Sequence, residues 1–167
     1  MAGLERFIGV IDGLNDRIGR AAAWLVLPVI GALFLQIPLR QFVGFGHREV
    51  NDIGQLLHAA LFMTAIAYAL RWDSHVRVDI FYRGMSERRR ALVDLVGTVA
   101  LLWPWLGLLG WYSWPVVLSS WRDQETFLDA GTPGYFLMKA LLLVLAVLLG
   151  LQSFAKVASS VLILRQK

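Results

Sequence analysis

The sequence predicts an all-α integral membrane protein, with four transmembrane helices preceded by an amphipathic interfacial helix and both termini cytoplasmic. Three observations carry this. The 167 residues are 57% hydrophobic, against about 45–50% in a soluble domain. The excess is gathered into four apolar stretches, each long enough for a span of about 20 residues. Between the second and third stretch, residues 71–94 hold six arginines, and short Lys/Arg-rich loops stay on the cytoplasmic side.

Two segments are expected: an amphipathic N-terminal helix over residues 1–20, and a four-helix membrane domain over residues 21–167. In the first, Leu4, Phe7, Ile8, Ile11, Leu14 and Ile18 recur at helical spacing, with Glu5, Asp12, Asp16, Arg17 and Arg20 on the other face. Such a helix is too polar to span. It suits either the membrane interface or the surface of a partner subunit. Span 1 is expected over residues 21–39, where Pro28 and Pro38 should kink or end it. A loop follows over residues 40–50, with Gly44, Gly46, His47 and Glu49. Span 2 is expected over 51–70. Span 3 covers 87–118, entered through Ser86 as N-cap with Glu87 in the first turn. A polar, acidic linker over 119–132 carries Asp123, Glu125 and Asp129. Span 4 covers 133–164, longer than a bilayer requires, so it should tilt or protrude.

Charge sets the topology. Arg6, Arg17 and Arg20, the six loop arginines, and Arg165 with Lys167 all fall on one side; only Arg40, Arg48 and Arg122 fall on the other. Eleven against three places both termini inside. The net charge of +4 and pI near 9.9 therefore read as topological arginine and not as a nucleic-acid footprint. The absence of cysteine excludes disulfide exchange, thiolate catalysis and iron–sulfur ligation. The first apolar run begins only near Ala21, with no small-residue cleavage site after it, so the first helix should remain as a span. No internal repeat is visible, unlike many secondary transporters.

Few residues suggest chemistry. Asn51, Gln55 and His58 share one helix face; they read either as an ion or proton site or as an interhelical hydrogen-bond stripe near the outer interface. His47, Glu49 and Asp52 could bind a metal, but their spacing matches no standard motif. His58 could ligate haem, but His75 is 17 residues on, about 25 Å along a helix, so a bis-histidine site is not expected. Trp103, Gly107, Trp111 and Trp114 lie on one face of span 3, suited to lipid anchoring or to a partner subunit, with the small residues permitting close approach. Lys156 shares a face with Gln152 and can snorkel to the interface. The central loop alternates His75, Val76, Arg77, Val78, Asp79 and Ile80; it sets topology, and its arginines can pair with anionic headgroups. No nucleophile–base pair is evident.

The chain resembles the small membrane subunit, DctQ-like, of tripartite ATP-independent periplasmic (TRAP) transporters. The resemblance rests on Glu49 at the start of span 2, then Arg71, then His75-Val76-Arg77-Val78-Asp79. The Arg88, Arg89 and Arg90 entry to span 3 and the Pro133 entry to span 4 extend it, and it covers roughly residues 21–166. It implies a large multi-span subunit that carries the substrate and sodium sites. It also implies a periplasmic substrate-binding protein that delivers an organic acid, typically a carboxylate. This chain would be a fixed scaffold in a bacterial or archaeal inner membrane, without enzymatic activity or a cofactor of its own. Glu49, Gln55, His58, Trp103, Gly107, Trp111 and Trp114 are candidate subunit contacts. Two other readings are an autonomous homo-oligomeric transporter, which would need an intramembrane carboxylate, and a haem or quinone membrane anchor.

Overall fold

In a computed structural model that describes residues 2–73, 82 and 84–165, four helical runs are long and apolar enough to cross a membrane. The first run combines α1 (Ala2–Ala23), α2 (Val26–Pro38) and a π turn, Leu39–Val43. The second is α3 (His47–Arg71). The third combines α4 (Glu87–Gly97), a π turn at Thr98–Leu102 and α5 (Trp103–Arg122). The fourth is α6 (Tyr135–Arg165). Among the described residues the one extended pairing is an isolated bridge between Thr126 and Pro133.

Proline chemistry explains the irregular points. Pro28 has no N–H to give the Trp24 carbonyl, which instead accepts from Leu27 at 3.3 Å, so α1 and α2 are joined by one tight turn at Trp24–Leu25. Helical structure passes Pro38 and ends in a π turn closed by Gly44 N–H donating to the Leu39 carbonyl at 2.8 Å. Gly44 and Gly46 take φ of 80° and 77°, left-handed values that glycine adopts without steric cost. The helix can thus reverse within three residues. The expected outer loop over 40–50 is therefore mostly helical, with only residues 44–46 outside helices. At Thr98–Leu102 the Trp103 N–H reaches back to Thr98, a wider turn that accommodates Pro104, which cannot donate to the Ala100 carbonyl.

The first helical run is antiparallel to α3 along most of its length. Asp16 meets Arg71, Gly19 meets Tyr68, and Ala32 meets Gly54, so numbers rising in one helix fall equally in the other. α6 is the central element: it packs on α1, α3, α4 and α5 and buries Leu145, Leu148, Leu149, Ser153 and Ala155. In the most apolar stretch of each run, 33% of residues are buried in α6 but only 6% in α4–α5.

α1 keeps the expected faces in part, with Ile11 buried and Glu5, Arg17 and Arg20 exposed, and departs from them at other positions. Asn15 is 1% exposed and Asp16 is buried, whereas Phe7, Val10 and Leu14 are exposed. The polar residues point inward because other helices supply their partners. Asn15 Nδ2 donates to Gln152 Oε1 at 2.6 Å, and Gln152 Nε2 donates to Asp12 Oδ1 at 2.8 Å. The Arg71 guanidinium lies 2.6 Å from Asp16 Oδ1, and Arg20 pairs with the same carboxylate. Ser86 has the extended backbone of an N-cap, but its side chain makes no capping bond; its carbonyl accepts from Arg90 N–H at 3.0 Å.

Candidate functional site

Three clusters of polar or aromatic residues distinguish the two ends and one flank of the bundle. The first lies where α3 ends. Arg71 pairs with Asp16, and its guanidinium stands 5.0 Å from the Trp72 ring centroid. Lys156 Nζ donates to Asp73 Oδ1 at 2.8 Å and lies 3.6 Å from Asp94 Oδ2. Tyr82 Oη donates to the Asp94 carboxylate at 3.1 Å. Lys156 is thus held between two carboxylates, whose charge offsets the cost of partly burying its ammonium. His75, Arg77 and Asp79 lie outside the described residues. Arg88 and Arg89 are exposed in the first turn of α4. Arg90 folds back, with Nε–H donating to the Met85 carbonyl at 3.0 Å and its guanidinium 5.3 Å from the Tyr82 ring centroid.

The second cluster is the opposite end. Glu125 accepts from Ser120 Oγ and from Lys139 Nζ, each at 2.5 Å, which ties the loop after α5 to α6. The Lys139 hydrogen bond, then the Ser120 one, hold the Glu125 carboxyl below its ordinary value. Phe127 N–H donates to the Thr132 carbonyl at 2.8 Å, closing a short hairpin that leaves Leu128 fully exposed. Nearby, Glu49 is exposed on the first turn of α3, while Asp52 is 1% exposed; the two acids point to different surroundings and do not converge with His47 as ligands of one ion. Asn51, Gln55 and His58 border a groove of about 290 Å³ between α2 and α3. None of the three makes a side-chain hydrogen bond to another described residue, so the stripe is not an interhelical bond within this chain. The His58 ring stacks on Phe62, centroids 6.3 Å apart.

The third is the flank formed by α5 and α6. Trp103 turns inward: Nε1–H donates to Ser153 Oγ at 3.0 Å and its ring lies 4.9 Å from Phe154. It is an internal anchor. Trp111 and Trp114, on the same helix face, are 78% and 61% exposed. They border an apolar groove of about 700 Å³ with Gly110, Pro115, Leu143 and Val147. Gly107, one turn away, is exposed, and a side chain there would meet nothing.

Arg71, Arg90 and Trp103 were thus legible as notable but not in their partners. Asp12, Asn15, Asp16, Gln152, Glu125 and Lys139 were missed as a bonding set; pairs up to 140 residues apart leave no local signal. The arrangement holds helices together and offers surfaces.

Comparison with known proteins found no match among curated proteins or solved structures. A sequence family described as "Tripartite ATP-independent periplasmic transporters, DctQ component" matches residues 29–162, which takes in α3 to α5, most of α2 and nearly all of α6. With four membrane-spanning helical runs and that match over most of its length, the chain belongs to the DctQ component family of TRAP transporters, a transporter component and not an enzyme.

Proposed function

We propose that this chain is the static small subunit of a sodium-coupled importer of organic acids. It braces a large multi-span subunit that carries the substrate and sodium sites, and a periplasmic substrate-binding protein delivers the carboxylate. The membrane is a bacterial inner membrane with both termini cytoplasmic, the orientation favoured by the eleven-to-three distribution of basic residues.

The observation that supports the bracing role most is the exposed Gly107–Trp111–Trp114 face on the run that buries least of itself. Tryptophan is enriched at interfaces, and small residues let helix backbones approach closely. The unbonded Asn51–Gln55–His58 stripe beside α2 is a second contact, where a partner's polar groups complete bonds the chain does not make. Glu49 and the Leu128 hairpin lie at the end assigned to the binding protein.

The test is co-purification. The chain is tagged at its C-terminus, expressed with its neighbouring genes and recovered in mild detergent. A stoichiometric large multi-span protein supports the proposal, and Trp111→Ala with Trp114→Ala should release it while leaving the folded chain intact. A stable complex of this chain alone, active for uptake in liposomes, would transfer the assignment to a homo-oligomeric transporter.

A further inference from the structure

One side of α3 faces away from its neighbours among the described residues. After Arg48, the residues Asn51, Gln55, His58, Phe62, Ala65 and Ala69 follow in alternating steps of three and four, the spacing of a seam along which another helix packs. α3 turns Gly54 to Ala32 of α2 and Leu56 to Gly134, just before α6, and the seam belongs to neither contact. Arg48, Gln55 and His58 are exposed, and Phe62 is 59% exposed. Among the described residues, Arg48, Asn51, Gln55 and His58 make no side-chain hydrogen bond or ion pair. Their surroundings, α2, the turn at 44–46 and the start of α6, are all described.

Depth decides what can cover this side. His58 is ten residues from Arg48 and thirteen from Arg71, about 15 and 20 Å along the helix, in a hydrocarbon core about 30 Å thick. It therefore lies near mid-bilayer, with Gln55 one turn away. Lipid chains offer neither group a hydrogen bond, and leaving an amide and an imidazole unpaired in hydrocarbon is costly. A second copy of the chain, related by a two-fold axis along the membrane normal, would set each Arg48 beside its own counterpart. Arg40, exposed in the π turn at the same end, adds like charge there. The charges thus favour a different protein, with a carboxylate facing Arg48.

We propose that a transmembrane helix of the large subunit packs along this seam. It carries a hydrogen-bonding side chain at the depth of Gln55 and His58, and an acidic residue beside Arg48. Ala65 and Ala69 let the two backbones approach closely over the rest of the crossing. The three-four spacing sets a left-handed crossing of about 20°. The polar end fixes depth and register, and the small-residue end fixes closeness. This pairing rests on the bracing role proposed above and adds which side of which helix recognises the partner, and by what chemistry.

The test uses the full chain, tagged and co-expressed with its neighbouring genes, with photo-activated benzoylphenylalanine in place of Phe62 or, on the opposite side of α3, of Ile53. The Phe62 position should crosslink to the large multi-span subunit, at least about fivefold more than the Ile53 position. Gln55→Leu with His58→Leu should weaken retention of that subunit on dilution in detergent about tenfold, the loss expected of two interhelical hydrogen bonds. Arg48→Glu should weaken it as well. The replaced side chains bond to nothing in the described chain, so amide exchange of α3 in the isolated chain should not change, which separates lost recognition from lost folding. A Phe62 crosslink to a second copy or to lipid alone, or retention that survives Gln55→Leu with His58→Leu, would overturn the proposal while the recovered large subunit keeps the bracing role. Recovery of no large subunit by the wild type would refute the bracing role itself, a different result from a retained subunit that does not crosslink.

Discussion

Gly19 is where the docking of α1 on α3 is most sensitive. A Cβ added there would stand 2.6 Å from Tyr68 Cβ and closer still to Cγ and Cδ2. Non-bonded carbons pack best at about 3.5–4.0 Å, so Gly19→Ala is short by about 1 Å. A change of the Tyr68 χ1 rotamer moves Cγ and Cδ2 but not Cβ, which the α3 backbone fixes, so the helices themselves must part. Overpacking of this kind costs about 1–3 kcal/mol. Alanine is also a better helix former than glycine by about 1 kcal/mol, which would mask part of the effect. Gly13→Ala is the control: it lies on the same helix and a Cβ there meets nothing within 4 Å. The difference between the two variants cancels propensity and should remain about 1–3 kcal/mol, or roughly 5- to 150-fold faster amide exchange in α1. Hydrogen-exchange mass spectrometry in detergent or nanodiscs reads this directly. Tyr68→Ala should restore protection to Gly19→Ala only in part, because the Tyr68 Cβ position persists. If the Gly19 and Gly13 variants exchange alike, α1 is not held against α3 in this register.

Three further outcomes follow from the same bonds. Gln152→Leu leaves buried Asn15 without its acceptor and should cost about 1–3 kcal/mol, read as lost exchange protection across residues 11–19; unchanged protection would remove Gln152 from the clasp. The Glu125 clasp should be insensitive to pH from neutrality down to about 5. Its carboxyl is held below the ordinary 4.5, so its contribution is complete above the unfolded value and is lost only as pH falls through the lower folded one. Exchange in residues 123–134 should therefore rise only under stronger acid, and Glu125→Gln should abolish that step. Arg88→Ala, Arg89→Ala and Arg90→Ala together should yield a population with mixed orientation, measured by the accessibility of a terminal tag; a single orientation and full assembly would show that these arginines do not set topology.

The spans were legible because hydrophobic length is a local property, written into each stretch. Their ends and faces were not. α3 begins at His47, before the expected start at residue 51, because Gly44 and Gly46 make a reversal that composition alone reads as a longer loop. The π turn before Trp103 answers a backbone conflict at Pro104, and its position has no hydropathy signal. The inward turn of Asp16 on α1 was missed for a different reason. An Asp or Asn on a helix reads as solvent-facing unless its partner is known, and here the partners are Gln152 and Arg71, on other helices. Lys156 is the same case, since Asp73 and Asp94 complete it from two other places. Trp111 and Trp114 stand outward because no described part of the chain covers them.

The three-residue reversal at residues 44–46 bears on how the chain enters the membrane. α3 has the lowest mean hydropathy of the four spanning runs, 1.6 against 2.0 for the run before it, and it carries Asn51, Asp52, Gln55 and His58 in its N-terminal half. Alone, such a segment would partition weakly from the insertion machinery into lipid. With almost no slack in the connection, it can cross with α2 as a preformed helical hairpin, Ala32 already against Gly54. The strongly apolar first arm carries the marginal second one. Lengthening the connection would uncouple the two arms, so the short turn ties the insertion of the weaker arm to that of the stronger one.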